Sequence, residues 1–375
     1  MSHGLTDAQR DIRDLARRFA DEVVAPHAAR WDREHTFPRE VFGQLGELGL
    51  MGVCVPDRHA GAGADYLSYA LVLEELSRAD AGVGVTLAVH TGAGTMPVLA
   101  HGSDEQRDRV VPPLAQGHEL AAFALTEPGA GSDAGAMLTR FDSATETLTG
   151  TKQWITNGSH AHSFVVFAKE DGRPSAFLAR RGAPGFRVTR EEEKMGLHSS
   201  STADLAFDAT PVERLGPPGG GMRIALSTLD GGRIGIAAQA VGIAQGALDV
   251  ATAYARERTA FGGPIGRFQA VAHKLADMQT EIEAARALVW RAARLKEAGR
   301  PHTVEGAQAK LFASRVARHW TGEAIQVLGG YGYTKEFPVE RFYRDAKVTE
   351  IYEGTSEIQR LVIARGLLGA FEDVR

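Results

Sequence analysis

Apolar residues recur at helical spacing from the start of the chain. Leu5, Ile12, Leu15, Ala16, Phe19 and Val23 alternate with charged residues, which predicts a helix capped by Thr6 or Asp7. Pro38, Arg39 and Glu40 ahead of Val41 and Phe42 open a second helix, with proline in the tolerated first turn. Gly61-Ala62-Gly63 interrupts the pattern, and Tyr66 to Ser77 and the small-residue run Ala81 to Ala100 resume it. After about Ala121 the texture changes to β-formers. Leu148 to Gly158, Phe164 to Ala168, Ala176 to Leu178, Phe186 to Val188 and Ala203 to Phe207 read as strands, with a hairpin turn at Asn157-Gly158.

Pro217-Pro218-Gly219-Gly220-Gly221 ends the β-region. Long helices follow at Ile224 to Arg256, Phe268 to Ala298 and Val304 to Leu328. Gly299-Arg300-Pro301 stops the second and Gly329-Gly330 the third. A last helix runs from Thr355 or Ser356 to Leu368. The expected fold is α+β in three domains: helical over 1–120, a β-barrel or sandwich over 121–216, and a four-helix bundle over 217–375.

Composition narrows the function classes. Across 375 residues, 42 Lys and Arg against 47 Asp and Glu give a net charge of −5, which argues against binding nucleic acid through phosphates. One cysteine, Cys54, excludes an internal disulfide and any multi-cysteine metal site. No run reaches the ~18 uninterrupted apolar residues of a bilayer span, and the N-terminus does not read as a secretory signal. A cytoplasmic protein with no membrane partner is expected.

Few residues suggest chemistry by themselves. Gly129-Ala130-Gly131-Ser132-Asp133-Ala134-Gly135 misses both the dinucleotide fingerprint and the nucleophile elbow. It reads equally as a turn-rich linker or as a loop whose backbone N–H groups meet a polar ligand. His160 and His162 lack a third ligand at metal-binding spacing, so no metal site is expected. Arg258, beside Phe261-Gly262-Gly263-Pro264, is either a cation on a helix C-terminus or a bidentate donor for a phosphate. Glu353 follows Ile351 and Tyr352 and precedes Gly354 and the capping pair Thr355-Ser356. A carboxylate among apolar groups there can serve as a base, although periodicity alone favours an acid that merely suits a helix N-terminus.

Several stretches in order resemble the acyl-CoA dehydrogenase family over nearly the whole chain. They are Phe123-Ala124-Leu125-Thr126-Glu127-Pro128-Gly129-Ala130-Gly131-Ser132-Asp133, Trp154-Ile155-Thr156-Asn157, Arg258 with Phe261-Gly262, Gln326 to Gly332, and Ile351 to Arg360. The resemblance implies a helical, β, helical fold and bound FAD. It implies α,β-dehydrogenation of an acyl-CoA to a trans-2-enoyl-CoA, with electrons passed to an electron-transfer flavoprotein. Glu353 matches the family's base for the α-proton, the β-hydride going to the flavin. Phe123, Leu125, Thr126, Gly131, Ser132, Trp154, Ile155 and Thr156 match flavin contacts. Arg258, Phe261, Phe268, Gln269, Gln326, Gly329 and Gly330 match residues toward the pyrophosphate and adenosine, some from a neighbouring subunit; Thr355 and Glu357 match closing contacts. Ser132, Asp230, Arg233, Tyr352 and Gly354 match substrate positions.

One branch of the family carries its base within the Leu229-Asp230-Gly231-Gly232-Arg233 stretch, but its position is Gly232 here, so Glu353 remains the candidate. The chain looks nearest to short-chain, butyryl-type members through Ser200 to Ala203 and Asp230 to Ala237. Ser227, where such members often carry a bulkier glutamine, leaves medium or longer chains open. A homotetramer is implied by the resemblance alone. An acyl-CoA oxidase on the same scaffold is the competing enzyme reading. A non-catalytic or nucleic-acid-binding relative is the non-enzymatic one, opposed by the net charge and the intact Glu353.

Overall fold

The computed structural model describes residues 4–369. Thr6 and Gln9 start α1 (Asp7–Phe19) with a reciprocal cap: the Thr6 hydroxyl accepts from the Gln9 N–H at 3.2 Å, and the Gln9 amide oxygen accepts from the Thr6 N–H at 2.9 Å. A π-helical turn, Ala20–Val24, carries the rod into α2 (Ala25–Glu34). Pro38 precedes α3 (Arg39–Glu47) as its cap, one position earlier than expected. α4 (Tyr66–Ala79) is buried on nearly every face. The run from Ala81 is one rod made of α5 (Ala81–Leu87), a π-helical stretch Ala88–Thr95 and α6 (Met96–His101). The pattern did not predict α7 (Asp104–Ala115). Ser103 and Gln106 cap it reciprocally, and Pro112 and Pro113 lie in its last turn.

The middle region is an eight-stranded sheet: β1 (Ala121–Ala124), β2 (Arg140–Asp142), β3 (Thr147–Thr156), β4 (Ser163–Glu170), β5 (Arg173–Arg180), β6 (Phe186–Glu191), β7 (Thr202–Pro211) and β8 (Glu213–Leu215). The order is β6-β7-β3-β2-β4-β5-β8, with β1 parallel beside β4. The five expected strands are present, four with wider limits and the first ending at Thr156, two residues before Gly158. Strands β1, β2 and β8 were not foreseen, since three or four residues are too few for alternation to show. Alternation does appear along β4. Val165 and Phe167 enter a core shared with α7, while Phe164, Val166 and Ala168 enter a second core with Leu205 and Phe207.

Asn157 corrects an expectation. It has φ +65° but does not close a hairpin, because β3 and β4 are not paired to each other. Its fully buried side chain donates from Nδ2 to the Thr86 carbonyl at 3.1 Å and the Ala121 carbonyl at 3.0 Å. One amide thus ties the end of β3 to the helical region and to β1.

Beyond the sheet come α8 (Gly221–Glu257), α9 (Gln269–Glu297), α10 (Thr303–Leu328), α11 (Val339–Val348) and α12 (Ser356–Leu368). The short, charged α11 was not predicted. α8 packs on α4, α9, α10 and α11, so the helices before and after the sheet share one apolar core. Ala81–His101 and Gly221–Glu257 are long and apolar enough to cross a bilayer. Here 83% of each apolar window is buried inside the fold, as in core helices.

Asn157→Ala removes two buried hydrogen bonds, those to the Thr86 and Ala121 carbonyls. It is expected to destabilise the protein by about 1–3 kcal/mol, read as a clear drop in melting temperature; an unchanged melt contradicts this role.

Candidate active site

The loop after β1 is held from beneath by a buried ion pair. Lys152, fully buried on β3, donates from Nζ to Glu127 Oε1 at 2.8 Å and to the Leu125 carbonyl at 3.0 Å. The Glu127 carboxylate also accepts from the Thr139 N–H at 3.1 Å. These bonds keep Glu127 below the usual carboxylate range against its burial, while burial pushes Lys152 down to about 8. Glu127 and Ala130 exchange backbone hydrogen bonds, which folds Pro128 and Gly129 into a tight turn. The Gly131 and Ser132 backbone is thereby presented to an adjacent cavity, and Gly129 and Gly131 have open space where a side chain would stand. Of the two readings of this loop, the structure favours the one facing a ligand.

That cavity, about 380 Å³, is bounded by Phe123, Leu125, Thr126, Gly131, Ser132, Trp154, Ile155 and Thr156 from the sheet side. Val85 and Val89 come from the helical rod, and Ala225, Leu229, Arg233 and Ile236 from one face of α8. Tyr352, Glu353, Gly354 and Thr355 close it. Trp154 is 58% exposed at φ +57°, with its backbone N–H donated to Asp204 Oδ1. An indole held at the mouth of an apolar slot is a ready surface for a flat ring.

Glu353 is the outlier in this slot. Its backbone is left-handed at φ +54° and Gly354 follows at φ +90°, so the chain turns sharply before α12. The side chain is half-buried, yet Oε2 is sealed and has no hydrogen-bond partner among the described residues. Burial pushes this carboxyl up to about 7, opposed by the positive charges of Lys310 and Arg233. Gly232 makes the space: a Cβ there would lie 2.3 Å from Glu353 Oε2. A side chain at 232 would push the Glu353 carboxylate out of this position. Tyr352 beside it donates its hydroxyl to Gln239, whose amide reaches the Ala81 carbonyl at 2.9 Å. The segment is thus fixed to α8 and α5.

Other predicted residues lie elsewhere. Asp230 does not line the cavity; it accepts from Arg233 at 2.5 Å and from the Thr303 hydroxyl at 2.7 Å, and so orients Arg233. Arg258 caps α8, and its guanidinium lies 5.7 Å over the Tyr331 ring. With Gly329 and Gly330 it lines a separate cavity of about 490 Å³. Phe261 is 90% exposed and meets Phe268 edge-on, and Gln269, Gln326 and Glu357 are exposed. A single chain therefore gathers around Glu353 the predicted residues from Phe123 to Thr156 with Arg233, Tyr352, Gly354 and Thr355, but not Asp230, Glu357 or the group from Arg258 to Gly330. His160 stacks on Phe37 with centroids 3.9 Å apart, and His162 accepts from the Leu120 N–H. Among the described residues no cluster of three or more His, Cys, Asp or Glu suits a metal. A larger cavity of about 650 Å³, lined by Asp21, Arg78 and Arg341, holds carboxylates such as Asp21 and Asp249 that are already ion-paired.

Sequence reasoning missed Lys152, Lys310, Gln239 and Gln359, all fully buried polar side chains. The only available signal was a lone polar residue in an apolar stripe, such as Lys310 between Ala309 and Ala313.

Burial predicts that Glu353 titrates near neutrality. Infrared difference spectra with ¹³C-labelled glutamate should show a protonated carboxyl band lost around pH 7, absent from Glu353→Gln; a band already gone at about pH 5 contradicts the geometry.

Comparison with known proteins places the chain. Acyl-CoA dehydrogenase N-terminal, middle and C-terminal domain profiles match residues 6–118, 122–210 and 219–368 in turn. The mitochondrial short-chain specific acyl-CoA dehydrogenase of Bos taurus is 48% identical, over 98% of this chain and 92% of that protein. Butyryl-CoA dehydrogenase from Megasphaera elsdenii superposes with a TM-score of 0.94 at 43% identity, covering 98% of this chain and 100% of that one. A chain in a solved structure concerning the electron transferring flavoprotein of Acidaminococcus fermentans gives a TM-score of 0.96 at 45% identity, covering 99% and 100%. With three profiles matched in order and nearly half the residues shared along almost its whole length, this chain belongs to the acyl-CoA dehydrogenase family.

Proposed function

We propose that this protein is an FAD-dependent acyl-CoA dehydrogenase that converts a short acyl-CoA to its trans-2-enoyl-CoA, with Glu353 taking the α-proton. The observation that carries the reading is the half-buried Glu353 carboxylate, its Oε2 sealed and without a partner among the described residues, facing an apolar slot walled by Trp154. A thioester carbonyl makes its α-hydrogens weakly acidic, and a base that is poorly solvated and titrates near the working pH is suited to remove one. The Glu353 N–H finds no acceptor among the described residues, so it can donate to the thioester oxygen as negative charge builds there. Arg233 and Lys310 favour the carboxylate form before the proton moves. Val85, Val89 and Ile236 exclude water from the reacting carbons.

The residues present fit the cofactor. Phe123 and Trp154 offer apolar faces, Thr126, Ser132 and Thr156 offer hydroxyls, and the bare Gly131 backbone allows close approach. When bound, FAD supplies the two-electron acceptor for the hydride that leaves the β-carbon. Thr355 and Glu357, at the start of α12, are assigned to its closing contacts. Arg258, Phe261, Phe268, Gln269, Gln326, Gly329 and Gly330 are assigned to a pyrophosphate and adenosine reached across a subunit boundary. Their placement outside the Glu353 cavity supports this. The same reading gives a homotetramer in the cytoplasm, domains over 1–120, 121–216 and 217–375, and an electron-transfer flavoprotein as electron acceptor. The exposed Phe261 and Tyr333 rings support assembly.

Glu353→Gln should keep its yellow flavin, lose anaerobic bleaching by butyryl-CoA and fall about 10³-fold or more in kcat/KM. Wild-type kcat/KM should rise with pH through a group near 7, because the base must be deprotonated. Full bleaching of the variant overturns the assignment, and rapid peroxide formation without an acceptor would make the protein an oxidase.

A further inference from the structure

We propose that Lys310 is the positioning residue that fixes the Glu353–Gly354 turn and, through its buried positive charge, keeps Glu353 ionised and ready as a base. Lys310 lies on the face of α10 formed by Ala307, Ala313 and Ser314, all fully buried, and is itself fully buried. An ammonium group there must have a partner. Its partner is a neutral one: Nζ donates to the Gly354 carbonyl at 2.6 Å. Four residues along the same helix, the Ser314 hydroxyl donates to the Thr349 carbonyl at 2.8 Å, so α10 grips the base-bearing segment at two points. Gln359 adds a third hold, donating from Nε2 to the Gly354 carbonyl at 2.8 Å and to the Glu353 carbonyl at 3.2 Å. Two successive left-handed residues persist because their carbonyls are held in this way.

The charge has a separate effect. The groups facing the Glu353 carboxyl are Arg233 from α8, Lys310 from α10, the phenols of Tyr66 and Tyr69 from α4, and Tyr352 beside it. Arg233 is already paired with Asp230. Lys310 forms no ion pair among the described residues, and the acids around it are Glu353, Glu350 and Glu357. Glu350 is engaged by Arg318 and Lys347, and Glu357 is largely exposed. The Lys310 charge is therefore directed mainly at Glu353. Burial pushes Lys310 down to about 8 and Glu353 up to about 7, so each charge supports the other in the neutral range. Without the ammonium, burial of the carboxyl would act unopposed from that side, and the base would be protonated at neutral pH.

This inference rests on Glu353 being the base, and the experiment separates the two. The acid limb of kcat/KM for butyryl-CoA and the Glu353 carboxyl infrared band are measured on the holoenzyme carrying Lys310→Met, Lys310→Gln or Lys310→Arg. The Met and Gln variants should move both upward by ~1 pH unit or more, so activity at pH 7 falls about fivefold or more and recovers in alkali. The Arg variant should stay near wild type. Should Lys310→Met not fold, Lys310→Gln decides, because it keeps a donor for the Gly354 carbonyl without the charge. An acid limb and carboxyl band at their wild-type positions, or a loss of activity equal at every pH, overturn the proposal. If Glu353→Gln is inactive while Lys310→Gln shows no shift, only the role of Lys310 is lost. Full activity in Glu353→Gln would remove the base itself.

Discussion

A carboxylate with one oxygen, Glu353 Oε2, sealed from water and without a hydrogen-bond partner among the described residues is the constraint around which the site is arranged. In water Glu353 would be a weak base, fully ionised and well solvated at neutral pH. In the slot, burial raises its proton affinity, and two cations limit the rise. Neither influence works without placement. The carboxylate reaches the slot because the backbone at 353 and 354 is left-handed and because Gly232 leaves the space that Oε2 fills. A side chain at 232 and the Glu353 carboxylate in its present position compete for one volume.

The remaining architecture makes that placement rigid. The long helices share one core with the N-terminal helices, so α8 and α10 act as fixed walls. The sheet brings the opposite wall. Its loop after β1 is held by the buried Lys152–Glu127 pair, and its junction with the helices is tied by Asn157. Buried pairs of this kind contribute little net stability but fix one geometry among several.

Much of this was legible in the residues. The long helices α8, α9 and α10 announce themselves through period and punctuation, and the major strands through β-branched and aromatic runs. What escaped was short or tertiary in origin. Strands β1, β2 and β8 are too brief to show a period, and the prolines in α7 disguised a well-capped helix. Asn157-Gly158 looked like a hairpin because its backbone is that of a turn, while its buried amide joins elements distant in sequence. Glu353 by itself read as a helix-start acid; resemblance over the Ile351–Arg360 stretch singled it out, and the geometry supplies the physical reason. Lys310 and Lys152 were invisible because burial of a lysine is decided by neighbours far along the chain.

The central claim is that one side chain, Glu353, faces the α-carbon of a bound thioester. Its most direct test is hydrogen exchange in D₂O, followed by NMR of butyryl-CoA held on the reduced enzyme. The account predicts that α-hydrogens exchange on the wild-type protein and that exchange ceases in Glu353→Gln. Continued α-exchange in that variant, at a rate like the wild type, would contradict it.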